Sequence, residues 1–358
     1  MTCFYPLKGW FLPDRKQPKV TSSKVHHIEW NGKTAFEVLD ETVLGYKPIY
    51  NYIDIPCGRC EGCRLDVSSQ WADRCVLEAK EWEHKECLTL TYDEEHVKKN
   101  IKINPKTGEV SEIDTLYYKD YQDFIKRLRI SLKRGLRDKN GKLLTEPQQE
   151  QPKIKMIVAG EYGDKKKRPH FHAIIYGLNV PDKELWKKSK SGYDMHRSQC
   201  IEKIWGNGLV TIEPVNYETA AYIARYIQKK VKGKDADAYY ENKGIVPEML
   251  KMSTKEAIAK NFYKERRNTL YETQKIWIPT KKTLKKARIP RYYDKQLQKE
   301  NPELFEKIKA ERRELQKSRE RTEMSKTNLS LEEYREAKRR KTLEKLNKLK
   351  RNYESGPN

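Results

Sequence analysis

No stretch of this chain is apolar for long enough to cross a bilayer. The first residues, MTCFYPLKGWFLPDRK, lack the small-residue cleavage site that a secretory signal needs. A basic amphipathic anchor with a clean apolar face is missing too, so no membrane partner is expected and a cytoplasmic location follows. There is no Gly-x-x-x-x-Gly-Lys-Ser/Thr loop, which leaves any unwinding of a duplex to a separate helicase. Acidic residues are in the minority: 52 Asp and Glu stand against 75 Lys and Arg, for a formal net charge of +23. Such an excess points to nucleic acid, because Lys and Arg neutralise phosphates and release their counterions. Cysteine is sparse. The 7 cysteines are an odd number and most fall in one short segment, which argues for reduced thiols or a metal rather than a disulfide framework. Hydrophobic residues reach 36% against 35% charged, so a core cannot run along all 358 residues. The apolar positions concentrate between about residue 50 and residue 280.

The pattern divides the chain into four regions: 1–85, an N-terminal segment with a Cys cluster and a helix; 86–235, a core; 236–300, an accessory region; and 301–358, a charged helical tail. The helix after the cysteines is predicted with Asp66 or Ser68 as N-cap and Trp71, Cys75 and Leu77 inward. Glu86–Tyr92 is rich in β-formers, and Tyr121, Phe124, Ile125, Leu128 and Leu132 recur at helical spacing. Lys153–Ala159 and His170–Tyr176 read as a hairpin joined by GEYGDKKKRP. A short helix around His196–Trp205, a strand Leu209–Pro214 and a helix Tyr217–Lys230 complete the core. The order is β-α-β-β-α-β plus a final helix: an α+β fold of the split βαβ type, an antiparallel sheet with helices on one face. In the tail, Asn301-Pro302 and Ser330 each open a helix.

His170 and His172, in RPHFHAIIYG, stand two apart on a strand and therefore share a face. Such a pair is more often hydrogen-bonded than ligating, and Glu161 beside two glycines is by itself a turn residue. Together they constrain each other. A hairpin connection brings the Glu161 carboxylate beside the two imidazoles, and two neutral nitrogens with one carboxylate suit a divalent cation with open positions. Tyr222 and Tyr226, at i and i+4, lie on one helical face. Lys229 and Lys230 follow one turn later, with Arg225 off that face and Arg168 just before the His strand; these are the candidate DNA contacts. Cys57-x-x-Cys60-x-x-Cys63, with Cys75 as fourth ligand, is a candidate structural zinc site.

The order LTLTYD, RPHFHA, AAYIARYIQKK resembles the HUH endonucleases, the rolling-circle replication initiators. With MTCFYPL, PCGRCEGCRLDVSSQWADRC, GEYGDKKKRPHFHAIIYG and IPRYYDK added, roughly residues 1–295 resemble the initiators of gokushovirus-like microviruses. The resemblance implies an HUH core in which His170, His172 and Glu161 hold Mg²⁺ or Mn²⁺ and Tyr222 and Tyr226 are the nucleophiles. It also implies a viral DNA origin as substrate, a host helicase and polymerase as partners, and the host bacterial cytoplasm as location. Two alternatives stay open: a plasmid-type initiator or HUH transposase with the same chemistry, and a non-catalytic zinc-containing nucleic-acid-binding protein.

Overall fold

The computed structural model describes residues 3–10, 19–21, 27–30, 33–40, 45–49, 52–104, 106–163, 166–189, 192–225, 236–281 and 283–348. The first strands are β1 (Leu7–Trp10), β2 (Lys19–Thr21), β3 (His27–Trp30), β4 (Lys33–Asp40), β5 (Gly45–Ile49) and β6 (Ile53–Ile55). Next come α1 (Glu61–Ala79), β7 (Lys85–Tyr92), β8 (Lys98–Ile103), β9 (Val110–Thr115), α2 (Tyr118–Arg134), β10 (Lys155–Tyr162) and β11 (Pro169–Tyr176). They are followed by β12 (Glu184–Lys188), β13 (Asp194–Arg197), α3 (Gln199–Trp205), β14 (Gly208–Pro214), α4 (Tyr217–Arg225) and α5 (Ala236–Lys243). The last are β15 (Met249–Met252), α6 (Lys260–Thr273), β16 (Lys275–Pro279), β17 (Leu284–Arg288), α7 (Arg291–Glu300), α8 (Pro302–Met324) and α9 (Leu331–Lys348). The chain is mixed α+β and separates into two compact units, 1–66 with 310–350, and 67–309 with 351–358.

The larger unit is organised by an antiparallel sheet in the order β12-β13-β14-β7-β11-β10-β15. The predicted hairpin is there: β10 and β11 pair along their whole length, with Glu161 opposite His170 and Ala159 opposite His172. Alternation along each strand gives the sheet two apolar faces. Leu88, Leu90, Phe171, Ala173 and Ile175 point to one face and pack against α2 and α3 through Tyr121, Phe124, Leu128, Ile201 and Trp205. Each such side chain, fully buried, contributes roughly 1.5–3 kcal/mol. Ile157, Ala159, Ile174 and Tyr176 point to the other face, against α1 and α4 through Ala72, Cys75, Val76, Ala220 and Ile223.

Helices thus cover both faces, which corrects the expectation of helices on one. The reason lies in the strands themselves: Ile174 and Tyr176 are as apolar as Ala173 and Ile175, so neither face is left for solvent. Two further expectations shift. Asp66 and Ser68 lie inside α1 rather than capping it, because the helix opens right after the Cys cluster, with Arg64 N–H donating to the Cys60 carbonyl at 3.0 Å. His196 belongs to β13, and α3 is capped by Ser198, whose side chain accepts from Ile201 N–H.

In the smaller unit, β1 pairs with β2 and β6, which sets Lys8 opposite Asp54, and β3, β4 and β5 form a second antiparallel sheet. The tail helices belong to this unit. Ser330 and Glu333 form a capping box at the start of α9, as the sequence predicts. Arg335 bridges Asp54 and Glu320, Arg339 makes a two-pronged pair with Glu61, and Lys338 pairs with Glu323. No helix among the described residues is long and apolar enough to cross a membrane.

Candidate functional site

The site is built on one face of the three central strands β7, β11 and β10. The sequence Leu88-Thr-Leu-Thr91 alternates, sending both leucines into the α2 core and both threonines to the opposite face. The ladder sets Thr91 opposite His170 and Thr89 opposite His172. Each hydroxyl meets a ring nitrogen: His170 Nδ1 is 3.1 Å from Thr91 Oγ1, and His172 Nδ1 is 2.9 Å from Thr89 Oγ1. Both rings are therefore anchored by Nδ1 on the β7 side, which turns Nε2 away from that strand. His172 Nε2 lies 2.9 Å from Glu161 Oε1 on β10, and the two residues are only 7% and 2% exposed. The two imidazoles stand with centroids 6.3 Å apart.

Helix α4 crosses this face, sunk by Ala220, Ile223 and Ala224. Its Tyr222 ring meets His172 edge-on, centroids 5.3 Å apart at 88°. One predicted nucleophile is thus placed on the predicted metal-site histidine. Tyr226, Lys229 and Lys230 lie outside the described residues. Gly208, at the start of β14, borders the site with φ +131°; a Cβ there would sit 2.5 Å from both Asp93 N and Thr91 O, so the backbone passes tightly beside the threonine strand.

The donor set fits a hard divalent cation. Two ligands at roughly 2.1 Å in adjacent octahedral positions are separated by roughly 3.0 Å, close to the 2.9 Å between His172 Nε2 and Glu161 Oε1. His170 shares the face, yet among the described residues its nitrogens do not come within 4.8 Å of both other donors. The threonines are residues that sequence reasoning missed. Their signal was present in the period-2 alternation of LTLT, which places a hydroxyl on every second position of a strand next to the His strand.

The residues that the site assembles from distant segments also carry a family likeness. A family model for the replication-associated protein ORF2 matches residues 85–231, an interval holding Thr89, Thr91, Glu161, His170, His172 and Tyr222. The chain is similar to replication-associated protein ORF2 of Spiroplasma virus 4, 32% identical over 282 residues that cover 77% of this chain and 79% of that protein. It is similar also to replication-associated protein VP4 of Bdellovibrio phage phiMH2K, 30% identical over 291 residues, or 79% of this chain and 82% of that one. The chain belongs to the family of phage replication-associated proteins. Replication-associated protein ORF4 of Chlamydia phage 1 is 32% identical over 200 residues, covering 54% of this chain and 43% of that one. No solved structure matches the chain.

In this replication-associated protein the remaining candidates fall as follows. Arg225 ends α4, beside the Tyr222 turn. Arg168 precedes the His strand, donates to the Tyr92 carbonyl and pairs with Glu94, which joins the ends of β7 and β11. Cys75 is not with the other cysteines, and this corrects its assignment as a zinc ligand. It lies twelve residues beyond Cys63 on α1, about 18 Å along a helix. It is buried against the sheet, its carbonyl accepts from Tyr176 Oη at 3.0 Å, and burial pushes its thiol up to about 12. The residue beside Cys57, Cys60 and Cys63 is instead Cys3.

Proposed function

We propose that this chain initiates rolling-circle replication by nicking the viral strand at its origin, with Tyr222 and Tyr226 as nucleophiles. The observation that carries the reading is the Tyr222 ring set edge-on against His172, which itself faces Glu161. Tyr222 Oη attacks the scissile phosphorus while the bond from phosphorus to the 3′ oxygen breaks. The phenol proton is lost and the leaving oxygen gains one, giving a free 3′-hydroxyl and a 5′-phosphotyrosine. The new bond keeps the energy of the diester, so rejoining needs no ATP. A second tyrosine on the same helical face allows a second cleavage while the freed 3′-hydroxyl closes the displaced strand into a circle.

A phenol with pKa near ~10 is mostly protonated at neutral pH and needs a polarised phosphate to attack. His170, His172 and Glu161 would hold Mg²⁺ or Mn²⁺, which supplies Lewis-acid stabilisation of the phosphate charge. Arg225, Lys229, Lys230 and Arg168 would contact the phosphate backbone. A host polymerase would extend the 3′ end and a host helicase open the duplex, in the bacterial cytoplasm.

The test is incubation of the full chain with Mg²⁺ or Mn²⁺ and a labelled single-stranded origin oligonucleotide, resolved on a denaturing gel. A covalent adduct is expected, lost in the Tyr222→Phe/Tyr226→Phe double variant and in His172→Ala. Adduct formation that survives the double variant would show that the nucleophile lies elsewhere. No adduct with any divalent cation would remove the enzymatic reading.

A further inference from the structure

Cys57-x-x-Cys60-x-x-Cys63 leaves a tetrahedral thiolate site one ligand short, and the fourth sulfur arrives from 54 residues upstream of Cys57. All four sulfurs of Cys3, Cys57, Cys60 and Cys63 lie within 4.8 Å of one another. Cys60 Sγ is 3.8 Å from Cys3 Sγ, and Cys57 Sγ is 4.0 Å from Cys63 Sγ. Four sulfurs placed tetrahedrally at roughly 2.3 Å from zinc are separated by roughly 3.8 Å. A disulfide would need about 2.05 Å. The spacing is that of a metal site.

The backbone around the sulfurs is arranged for negative charge. Phe4 N–H donates to Cys60 Sγ at 3.4 Å, Cys57 N–H to Cys3 Sγ at 3.3 Å, and Cys60 N–H to Cys57 Sγ at 3.3 Å. Three donors on three sulfurs are what thiolates need and neutral thiols do not. Gly58, at φ +73°, makes the left-handed turn between the first two ligands of the run, and Cys63 stands in the first turn of α1, where the helix N-terminus favours a thiolate. The apolar cluster here is small: Cys3, Cys60 and Cys63, with Phe4 and Cys57 against it. A core of that size does not fix a fold without a further constraint.

We propose that Cys3, Cys57, Cys60 and Cys63 bind one structural zinc ion, and that Cys3 ties the N-terminus to the start of α1 through it. An all-sulfur set selects zinc over the hard cations suited to the His170, His172 and Glu161 site, so the two sites are chemically separate. Ligand and fold are then coupled, the metal supplying stability that burial does not.

Metal analysis of the purified full chain tests this without reference to nicking. About one zinc per chain is expected, kept in Cys75→Ser and lost in Cys3→Ser. Cobalt titration of the zinc-stripped chain should give the intense visible bands of a tetrahedral tetrathiolate. Cys3→Ser should shift those bands and weaken cobalt binding by more than about 10-fold. If Cys3→Ser aggregates, the cobalt spectrum of the unsubstituted chain decides. The proposal is overturned by a weak octahedral cobalt spectrum, by iron in place of zinc, or by a mass about 4 Da low that signals two disulfides in metal-free protein. Zinc kept in Cys3→Ser and lost in Cys75→Ser would overturn it as well.

Discussion

Replacing Thr89 by valine removes one hydroxyl and keeps the volume and the β-branching of the side chain, so it tests the anchoring of His172 with little disturbance to the sheet. Thr89 Oγ1 is 2.9 Å from His172 Nδ1, and the ring's other nitrogen is 2.9 Å from Glu161. A hydroxyl donates to Nδ1 when Nε2 carries the proton and accepts from it when Nε2 gives its lone pair to a cation. It therefore serves both states of the ring, and valine serves neither. Removing such an outer partner of a metal-binding histidine costs about 10–100-fold in metal affinity, equivalent to about 1.4–2.7 kcal/mol. The lost hydrogen bond contributes only about 0.5–1.5 kcal/mol to global stability, so the chain should stay folded. The assay is the Mn²⁺ dependence of adduct formation on the labelled origin oligonucleotide. Half-saturating Mn²⁺ should rise by about 10–100-fold in Thr89→Val and return close to the original in Thr89→Ser. A Thr89→Val chain whose Mn²⁺ requirement stays within about twofold of the original would refute the anchoring role. So would a Thr89→Ser chain as impaired as Thr89→Val.

Two predictions concern stability. Lys155 Nζ is 2.8 Å from Glu78 Oε1, with both groups buried, while Trp82 Nε1–H and Ala259 N–H donate to the same carboxylate at 2.7 and 2.6 Å. Lys155→Met leaves that charge to neutral donors and should lower unfolding stability in urea by about 3–5 kcal/mol; a loss below about 1 kcal/mol would mean the pair is solvated. For Asp54, burial alone would raise the carboxyl, but the Lys8 ammonium and the Arg335 guanidinium outweigh it and hold the group below its ordinary value. A depressed carboxyl stabilises the fold above the unfolded pKa, near ~3.9, and that contribution is lost as pH falls through the lower folded value. Acid unfolding followed by fluorescence should therefore show a step below about pH 4 that Asp54→Asn flattens; identical profiles in the two chains would exclude the assignment.

The difference between what the sequence discloses and what it hides follows the range of the interaction. Strand period and hairpin connection are local, so His170, His172 and Glu161 could be set on one face from spacing alone, and the ladder puts Glu161 directly opposite His170. The i, i+4 rule likewise carried Tyr222 toward that face. Thr89 and Thr91 needed one more fact, that the next strand over is β7, and neighbours in a sheet are set by packing of the whole chain. The distinction is sharpest at the cysteines. Nearness in sequence makes Cys75 the natural fourth ligand, but a helix separates residues twelve apart by about 18 Å. Cys3 is reached only through the pairing of β1 with β6, which returns the chain from Ile53–Ile55 to the N-terminus. The same non-local logic decides the tail. A thin apolar stripe gives no sign of what covers α9, whereas Arg335 and Arg339 find acids at Asp54 and Glu61 more than 270 residues away. Those cations are already paired within the fold. A reading of the net charge as surface offered to DNA therefore overstates it, and the phosphate contacts should be sought first beside α4 and the His strand.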